Sequence, residues 1–442
     1  MTDTRTISQT LAQFVQGVDT DRLPARIVEL AKIRLLDSLS TALAARGLHV
    51  PGTVLAIVGQ NSGPATVIGQ RRTLPPIDAA FANATLVNGR SQDDFMQKSH
   101  PGALTVPAVL AIAEQCARSG AEVLAGIVAG YEIVGRMYLG APGMLPRFRA
   151  SGVAGTVGAA AAAARMLRLD AAQTANALGC AALFAHGFGE GFFSGTNEVK
   201  LNVGMASRNG VTAALLAQAG ATASPTAFEG EAGYLRAFDG SLAHAAEMIR
   251  DLGSRYLIEE TVYKECPVCI FTQTPIVLAR TLAPKFDAAS VERVVVTSPE
   301  LTHTNPGFIN EGPYDTHLQA VVSARFCTAA ALLGRPVEDY DYYDNVGDPE
   351  VIALGKKIEL QMRTTDSDRV DIEVMQGNGV LRASGIETET LFPTADKVIA
   401  KFGRITQHLP WLERDRIVET VLALDRLPEI GALTALLKGP AD

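Results

Sequence analysis

Small residues dominate the middle of this chain, between residues 101 and 223. Alanines and glycines recur there at helical spacing, most densely in GTVGAAAAAARML at 155–167. Small side chains let two helix backbones approach closely, so the pattern predicts tightly packed helices. The apolar run at 153–164 ends at Arg165 and is too short to cross a bilayer.

Size and charge narrow the possible functions. A chain of 442 residues exceeds one ordinary core, so two domains are expected. The formal net charge of -8 argues against a nucleic-acid or membrane partner, although a local basic pocket can still bind an acidic substrate. Five cysteines indicate no disulfide framework, and the N-terminal residues carry no signal-peptide pattern, so a cytoplasmic protein is expected.

Helical periodicity covers most of the first 265 residues. In the first predicted helix, 24–46, Pro24 suits the first turn and Gly47 follows the end. Only ATVIG at 65–69 has strand character in this half. Further helices are predicted at 104–118, 121–139, 152–168, 171–185, 200–219 and 274–282.

The pattern changes after about residue 265. β-branched residues with partial alternation predict three strands, GNG at 377–379 predicts a hairpin turn, and a helix is expected at 316–333. Amphipathic helix returns at 395–438. The predicted strands are VERVVVTSP (291–299), KKIELQMRT (356–364) and RVDIEVMQG (369–377).

These patterns predict a mainly α fold with two domains. A large all-helical domain spans 1–265 and is completed by 395–442. A smaller α+β domain spans 266–394.

The segment QDDFMQKSHPG at 92–102 is the most informative for chemistry. Asp93, Asp94 and His100 precede a Pro-Gly helix entrance, and such groups on a loop suit general acid-base catalysis. The alternative is an exposed acidic turn that caps the next helix.

A second candidate is Lys200, which precedes a helix rich in small residues. A lysine ammonium in a water-poor cleft binds a carboxylate or stabilises a developing enolate. The alternative is a solvated lysine at a helix start. Cys266 and Cys269 form a CxxC without a second ligand pair, so packing is favoured and no metal site is predicted.

Several blocks resemble one family when taken in order. They are AKIRLLDSLSTALAA (31–45), AAFANATLVNGRSQDDFMQKSHPGALTVPAVLAIAEQ (79–115), GYEIVGRM (130–137), GTVGAAAAAARMLRLDAAQTANALGCAA (155–182), CPVC (266–269) and AVVSARFCTAAALLG (320–334). They resemble the MmgE/PrpD family, which includes 2-methylcitrate dehydratases, cis-aconitate decarboxylase and iminodisuccinate epimerase. The resemblance implies a helical domain with an α+β lid, a homodimer, and no metal or organic cofactor.

The same resemblance assigns site residues and shows departures. His100 and Lys200 match catalytic-site residues of the family. Ser91 stands where the family has an acid, Arg149 where it has a histidine, and Gln273 near another family histidine. A family tyrosine is replaced by Phe326.

We therefore expect a lyase or isomerase that removes a proton α to a carboxylate or carbonyl of a small carboxylate. His100, Asp93 and Lys200 are the expected catalytic residues. The expected substrate-binding residues are Arg149, Asp94, Gln273 and Ser91. The alternatives are a non-catalytic carboxylate-binding protein and an epimerase of the iminodisuccinate type.

Overall fold

A computed structural model describes residues 5–305, 307–364, 367–377 and 379–440. Within these residues the chain is mainly helical, as predicted. The helices are α1 (Ile7–Gly17), α2 (Ala25–Ala44), α3 (His49–Val58), α4 (Pro76–Asn88), α5 (Pro101–Gln115), α6 (Gly120–Gly140), α7 (Ala150–Leu167), α8 (Ala171–Leu183), α9 (Glu190–Ser194), α10 (Glu198–Gln218), α11 (Tyr234–Phe238), α12 (Ile270–Leu282), α13 (Glu300–His303), α14 (His317–Val322), α15 (Ala324–Leu332), α16 (Pro349–Gly355), α17 (Glu387–Thr390), α18 (Ala395–Thr406), α19 (Arg414–Leu422) and α20 (Gly431–Leu436). The strands are β1 (Ala65–Thr66), β2 (Thr73–Leu74), β3 (Val291–Pro299), β4 (Ile358–Arg363), β5 (Arg369–Gln376) and β6 (Gly379–Ile386).

The chain divides into two compact units. The described residues of the first, the helical unit, lie within Met1–Phe188, Glu198–Thr261 and Pro393–Asp442. The second, the α+β unit, comprises Gly189–Asn197 and the described residues of Val262–Phe392. The sequence patterns gave no indication that 189–197 belongs with the later segment.

Small residues explain how the helical unit packs. All of α7 is buried except Arg165, and α7 packs against α5, α6 and α10. A Cβ atom on Gly158 would lie 2.2 Å from Val134 Cγ2, and one on Gly210 would lie 2.7 Å from the backbone nitrogen of Ala160. At both positions the neighbouring helix leaves no room for a Cβ atom, so only glycine fits. This confirms the close packing predicted from the sequence.

Side-chain caps mark the start of some helices in this unit. Ser119 and Glu122 form a capping box at α6, and Asp170 and Gln173 form one at α8. The expected strand at 65–69 is reduced to β1, which pairs antiparallel with β2. The amphipathic stretch at 395–438 contains α18, α19 and α20 rather than one helix.

The α+β unit contains a four-stranded sheet in the order β4-β3-β5-β6. Strand β3 pairs parallel with β4 and antiparallel with β5, and β5 and β6 form a hairpin. The predicted turn at 377–379 includes Asn378, which lies outside the described residues. Strand β6 was missed because its residues are exposed or only half-buried and carry little apolar alternation. The expected helix at 316–333 is divided at Ser323, whose side chain caps α15.

One helix among the described residues, α6, is long and apolar enough to cross a membrane, and 89% of its apolar window is buried inside the protein. The bent pair α2 and α3 passes the same test only if both helices are counted as one span. Extensive burial is typical of a core helix.

Candidate active site

The loop between α4 and α5, residues 89–100, has an unusual backbone. Ser91, Gln97 and Lys98 have φ values of 54°, 46° and 60°, and they are half of the non-glycine residues with positive φ in the described chain. Gln97 and Lys98 form a two-residue turn closed by backbone hydrogen bonds between Met96 and Ser99, a position that favours Asn and Gly. Such backbone strain concentrates at functional sites and persists only when the surroundings enforce it.

Asp93 and His100 meet within this α4–α5 loop. The His100 Nδ1 atom lies 3.1 Å from Asp93 Oδ2 and 3.0 Å from the carbonyl oxygen of Asp94. Asp93 is fully buried, and both of its carboxylate oxygens accept from the Asn88 amide at the end of α4. The loop therefore holds a carboxylate against an imidazole, a pairing that suits proton transfer.

Asp94 has different surroundings. Its Oδ1 accepts from the backbone N–H of Gly102 at 2.9 Å, and its Oδ2 accepts from the Tyr131 hydroxyl at 2.6 Å. A Cβ atom on Gly102 would lie 2.8 Å from Asp94 Oδ1, which explains the glycine there. Burial raises the pKa of Asp94 to about 6, against the opposing charge of Arg34.

The capping interpretation of this segment describes Asp94 in part, and the acid-base role of Asp93 and His100 stays a prediction. Asp94 binds an N–H in the first turn of α5, as a capping residue does, but it is buried rather than exposed. Asp93 faces the histidine. A direct substrate-binding role for Asp94 stays a prediction.

Lys200 lies in the first turn of α10 and is 7% exposed. Its ammonium donates to the carbonyl oxygen of Gly89 at 2.5 Å, at the start of the α4–α5 loop. The solvated alternative is therefore wrong, and a buried cation stands next to the loop that carries Asp93. Its catalytic role stays a prediction.

Arg149 precedes α7 and is 6% exposed. Burial lowers the pKa of its guanidinium to about 10, against the favourable charge of Asp93, so it remains protonated at neutral pH. Its backbone N–H donates to the carbonyl oxygen of Gly187 at 3.1 Å. The packing of α5 against α7 thus places a charged guanidinium within electrostatic reach of Asp93.

Among the buried charges of the helical unit that the sequence patterns missed, three stand beside the α4–α5 loop. Arg34 and Asp37 lie on α2, and Lys401 lies on α18. Lys401 donates to Asp37 Oδ1 at 2.6 Å and to the carbonyl oxygen of Gln92 at 2.7 Å. Arg34 and Asp37 lie among the leucines of the second half of α2, which was a usable signal. Nothing in the amphipathic pattern of α18 marks Lys401.

The remaining expected site residues have different environments. Ser91 is half-buried in the α4–α5 loop, and its N–H donates to the carbonyl oxygen of Asn88. Gln273 lies in the α+β unit, where its amide binds the backbone of Glu265, Cys266 and Val268. That amide supports the CxxC segment, and a substrate contact by Ser91 or Gln273 stays a prediction.

The structure gives no indication of a metal centre in the part of the chain that it describes. No group of three or more His, Cys, Asp or Glu side chains is arranged there to hold a metal ion. Cys269 precedes α12, and its N–H donates to the carbonyl oxygen of Val321, as expected for a packed segment.

Comparison with known proteins gives the same family as the motifs. Residues 9–244 match the MmgE/PrpD N-terminal domain, and residues 266–382 match the MmgE/PrpD C-terminal domain. The chain is 24% identical to human cis-aconitate decarboxylase over 470 residues, which cover 99% of this chain and 95% of that protein. It is 23% identical to cis-aconitate decarboxylase of Aspergillus terreus over 475 residues, covering 98% of this chain and 96% of that protein.

A third relative matches only part of the chain. A cis-aconitate decarboxylase-like protein of Aspergillus oryzae is 29% identical over 230 residues, covering 48% of this chain and 47% of that protein. The two domain matches together span most of the sequence, and the human relative aligns along nearly all of it. The resemblance drawn from the motifs is confirmed: this chain belongs to the MmgE/PrpD family.

Proposed function

We propose that this protein is a cofactor-independent lyase or isomerase that acts on a small polycarboxylate by moving a proton at the carbon α to a carboxylate or carbonyl. The lyase class is supported at the level of the family, because full-length relatives are decarboxylases. The observation that carries the finer proposal is the buried contact of Asp93 with His100, 3.1 Å apart on a strained loop.

The pair supplies the proton-transfer groups. A base takes the α proton, and the electron pair of the broken C–H bond moves toward the carboxylate or carbonyl. Asp93 orients the imidazole through Nδ1, which leaves Nε2 as the ring nitrogen that reaches the substrate. His100 is therefore the proposed base, and Asp93 is the proposed orienting carboxylate and the alternative base.

Two buried cations balance the negative charge that develops. Lys200 donates to the carbonyl oxygen of Gly89 in the α4–α5 loop. Arg149 interacts electrostatically with Asp93 of the same loop. A substrate carboxylate that enters such a site loses its hydration, and fixed cations replace that hydration. The anionic state is common to dehydration, in which hydroxide leaves, and to epimerisation, in which a second donor or solvent delivers a proton to the opposite face.

Arg149 favours a substrate with an additional anionic group. A guanidinium that stays charged at neutral pH is a poor proton donor and a strong, bidentate ligand for carboxylate. Since the family pattern has a histidine there, the chemistry of this protein is expected to use fewer proton transfers at that position. Epimerisation, which has no leaving hydroxide to protonate, is the second candidate on this ground.

Solvent exchange tests the proposal directly. Purified protein is incubated in D2O with cis-aconitate, 2-methylcitrate and iminodisuccinate, and deuterium incorporation and product are followed by NMR and mass spectrometry. A catalyst of the proposed kind incorporates deuterium at the α carbon of at least one acid or converts it, and dialysis against EDTA leaves that rate unchanged. Calorimetric binding without exchange or conversion would instead support the non-catalytic carboxylate-binding alternative.

The wild-type protein is compared with two single variants. His100→Asn removes the proposed base, whereas His49→Asn changes an exposed histidine away from the site. The homodimer and the cytoplasmic location expected from the sequence also stay proposals, and light scattering on the purified protein measures the first.

A further inference from the structure

A buried charge cluster lies beside the α4–α5 loop and takes no part in the chemistry proposed above. Its members are Arg34 and Asp37 of α2 and Lys401 of α18, each no more than 1% exposed. Lys401 and Asp37 form an ion pair of 2.6 Å although 364 residues separate them in the chain. Buried ion pairs are weak evidence for stability, because desolvation offsets much of their attraction. Their placement therefore calls for another explanation.

The second hydrogen bond of Lys401 supplies one. The ammonium also donates to the carbonyl oxygen of Gln92 at 2.7 Å, and this carbonyl belongs to the peptide group that joins Gln92 to Asp93. Gln92 is itself fully buried. The charge on α18 thus holds the backbone immediately before the carboxylate that contacts His100.

We propose that Lys401 is a positioning residue, which fixes the Gln92–Asp93 peptide and thereby sets the orientation of the Asp93 carboxylate against His100. Asp37 fixes Lys401 in turn. The inference rests on the proposed function, in which Asp93 and His100 transfer the proton.

Strain in the loop explains why such an anchor is needed. Ser91 precedes the anchored peptide, Gln97 and Lys98 follow it, and all three have positive φ. Non-glycine residues leave that conformation unless the surrounding contacts enforce it. The Asn88 amide holds the Asp93 carboxylate through hydrogen bonds to its oxygens. The position of the Asp93 backbone, from which the side chain extends, is fixed by the bond of Lys401 to the preceding peptide group.

Arg34 does not substitute for Lys401 in this role. Its Nη2 donates to the carbonyl oxygen of Thr261, and it influences the loop through its charge near Asp94. The direct bond to the loop backbone in this cluster comes from Lys401. A helix near the C-terminus therefore contributes to the geometry of the Asp93–His100 pair.

Two variants separate positioning from stability. Lys401→Met removes the bond to Gln92 and leaves the Asp37 charge buried and unpaired, so it lowers both the melting temperature and turnover. The double variant Lys401→Met/Asp37→Asn also removes the unpaired charge, so its melting temperature recovers toward the wild-type value. If Lys401 positions the loop, kcat of the double variant stays at least about tenfold below the wild-type value. KM changes by less than about twofold, because the proposed carboxylate-binding residues Arg149 and Lys200 remain.

A second readout does not depend on turnover. The ring ¹⁵N resonances of His100, assigned by comparison with His100→Asn, report the contact with Asp93 at one fixed pH. Positioning predicts that these resonances shift in the double variant, whereas the exposed Lys397→Met variant on the same helix leaves them and kcat unchanged. Recovery of kcat together with stability, or unshifted His100 resonances in the double variant, overturns the proposal. If the wild-type protein exchanges and converts none of the acids, the proposed function fails, and the resonances alone still decide the role of Lys401.

Discussion

The packed helices and the α4–α5 loop of the helical unit differ in the polarity of their buried side chains and in their backbone conformation. In α7, side chains are small, burial is nearly complete and polar groups are few, so local sequence and final structure agree. In the loop, fully buried Asp93 and Asp94 lie among residues with positive φ. Each feature of the loop is locally unfavourable and is held by groups from other helices.

This difference shows that the packed helices stabilise the fold and that the loop depends on them. Close helix packing provides a rigid frame, and that frame holds charged groups in positions that an isolated loop would not keep. Changes in the loop and in the groups that contact it are therefore expected to affect chemistry and pH dependence, whereas changes at small residues between the packed helices are expected to affect stability alone.

The largest effect on turnover is expected for His100→Asn. The substitution introduces a smaller polar side chain and removes the proposed base, so turnover falls by about a hundredfold or more while binding is retained. Steady-state kinetics and calorimetry measure the two quantities on the same preparation. If the variant exchanges protons at the wild-type rate, Asp93 becomes the base.

Arg149→Ala and Lys200→Ala are expected to weaken binding rather than chemistry alone. Each substitution removes a buried cation, and loss of such a partner weakens carboxylate binding by roughly 2–5 kcal/mol. Titration calorimetry measures the change, with the exposed neighbour Arg147→Ala as the control. Unchanged affinity in both variants would place the carboxylate pocket elsewhere.

Asp94→Asn is expected to change how stability depends on pH. Burial raises the pKa of Asp94 from 3.8 to about 6, so the folded state binds this proton more tightly than the unfolded state does. Its contribution is fully present below pH 3.8 and is lost as the pH rises to 6, which lowers the free energy of unfolding by at most about 3 kcal/mol.

Denaturant unfolding between pH 4 and 7 measures this contribution as the difference between wild-type and Asp94→Asn proteins. Taking the difference removes the contributions of the other buried acids. The exposed Asp21→Asn variant serves as the control and should keep the wild-type slope. An Asp94→Asn protein with the same slope as wild type would show that Asp94 does not bind the proton in this range.

The sequence predicted the frame better than the site. Periodicity and small residues located α5, α6, α7, α8 and α10 to within a few residues, because burial alone decides such helices. The family resemblance selected the 92–102 segment, but the residues alone did not distinguish Asp93 from Asp94. Their different roles depend on Asn88 and Tyr131, which come from α4 and α6.

Long-range pairing explains the remaining omissions. Lys401 lies in a helix whose pattern is typical of a surface helix, and only its contact with Asp37 and Gln92 reveals a buried charge. Strand β6 was missed for a related reason, since an exposed edge strand lacks the apolar alternation that predicts strands. The burial of Lys401 and the pairing of β6 depend on contacts with other segments, and the local residue pattern does not reveal them.

The smallest effects are expected from two glycine substitutions in helices. They test whether changes in the packed helices affect stability without affecting the chemistry of the α4–α5 loop. A Cβ atom on Gly158 of α7 would lie 2.2 Å from Val134 Cγ2 and 3.0 Å from the carbonyl oxygen of Gly130, so Gly158→Ala should destabilise the protein by about 1–3 kcal/mol. At Gly403 of α18 a Cβ atom meets nothing within 4 Å. Gly403→Ala should therefore stabilise the protein by about 0.4–1 kcal/mol, because alanine loses less backbone entropy on folding.

Thermal and denaturant unfolding of the two glycine variants give the stability changes, and solvent exchange gives their activity. Both variants should keep the wild-type exchange rate at temperatures where they are folded, since neither residue contacts the α4–α5 loop. Gly403 lies two residues after Lys401 on the same helix, so its variant also shows whether α18 tolerates a change that leaves the ammonium in place. A stable Gly403→Ala protein with reduced exchange would mean that the chemistry depends on α18 through more than the Lys401 contact.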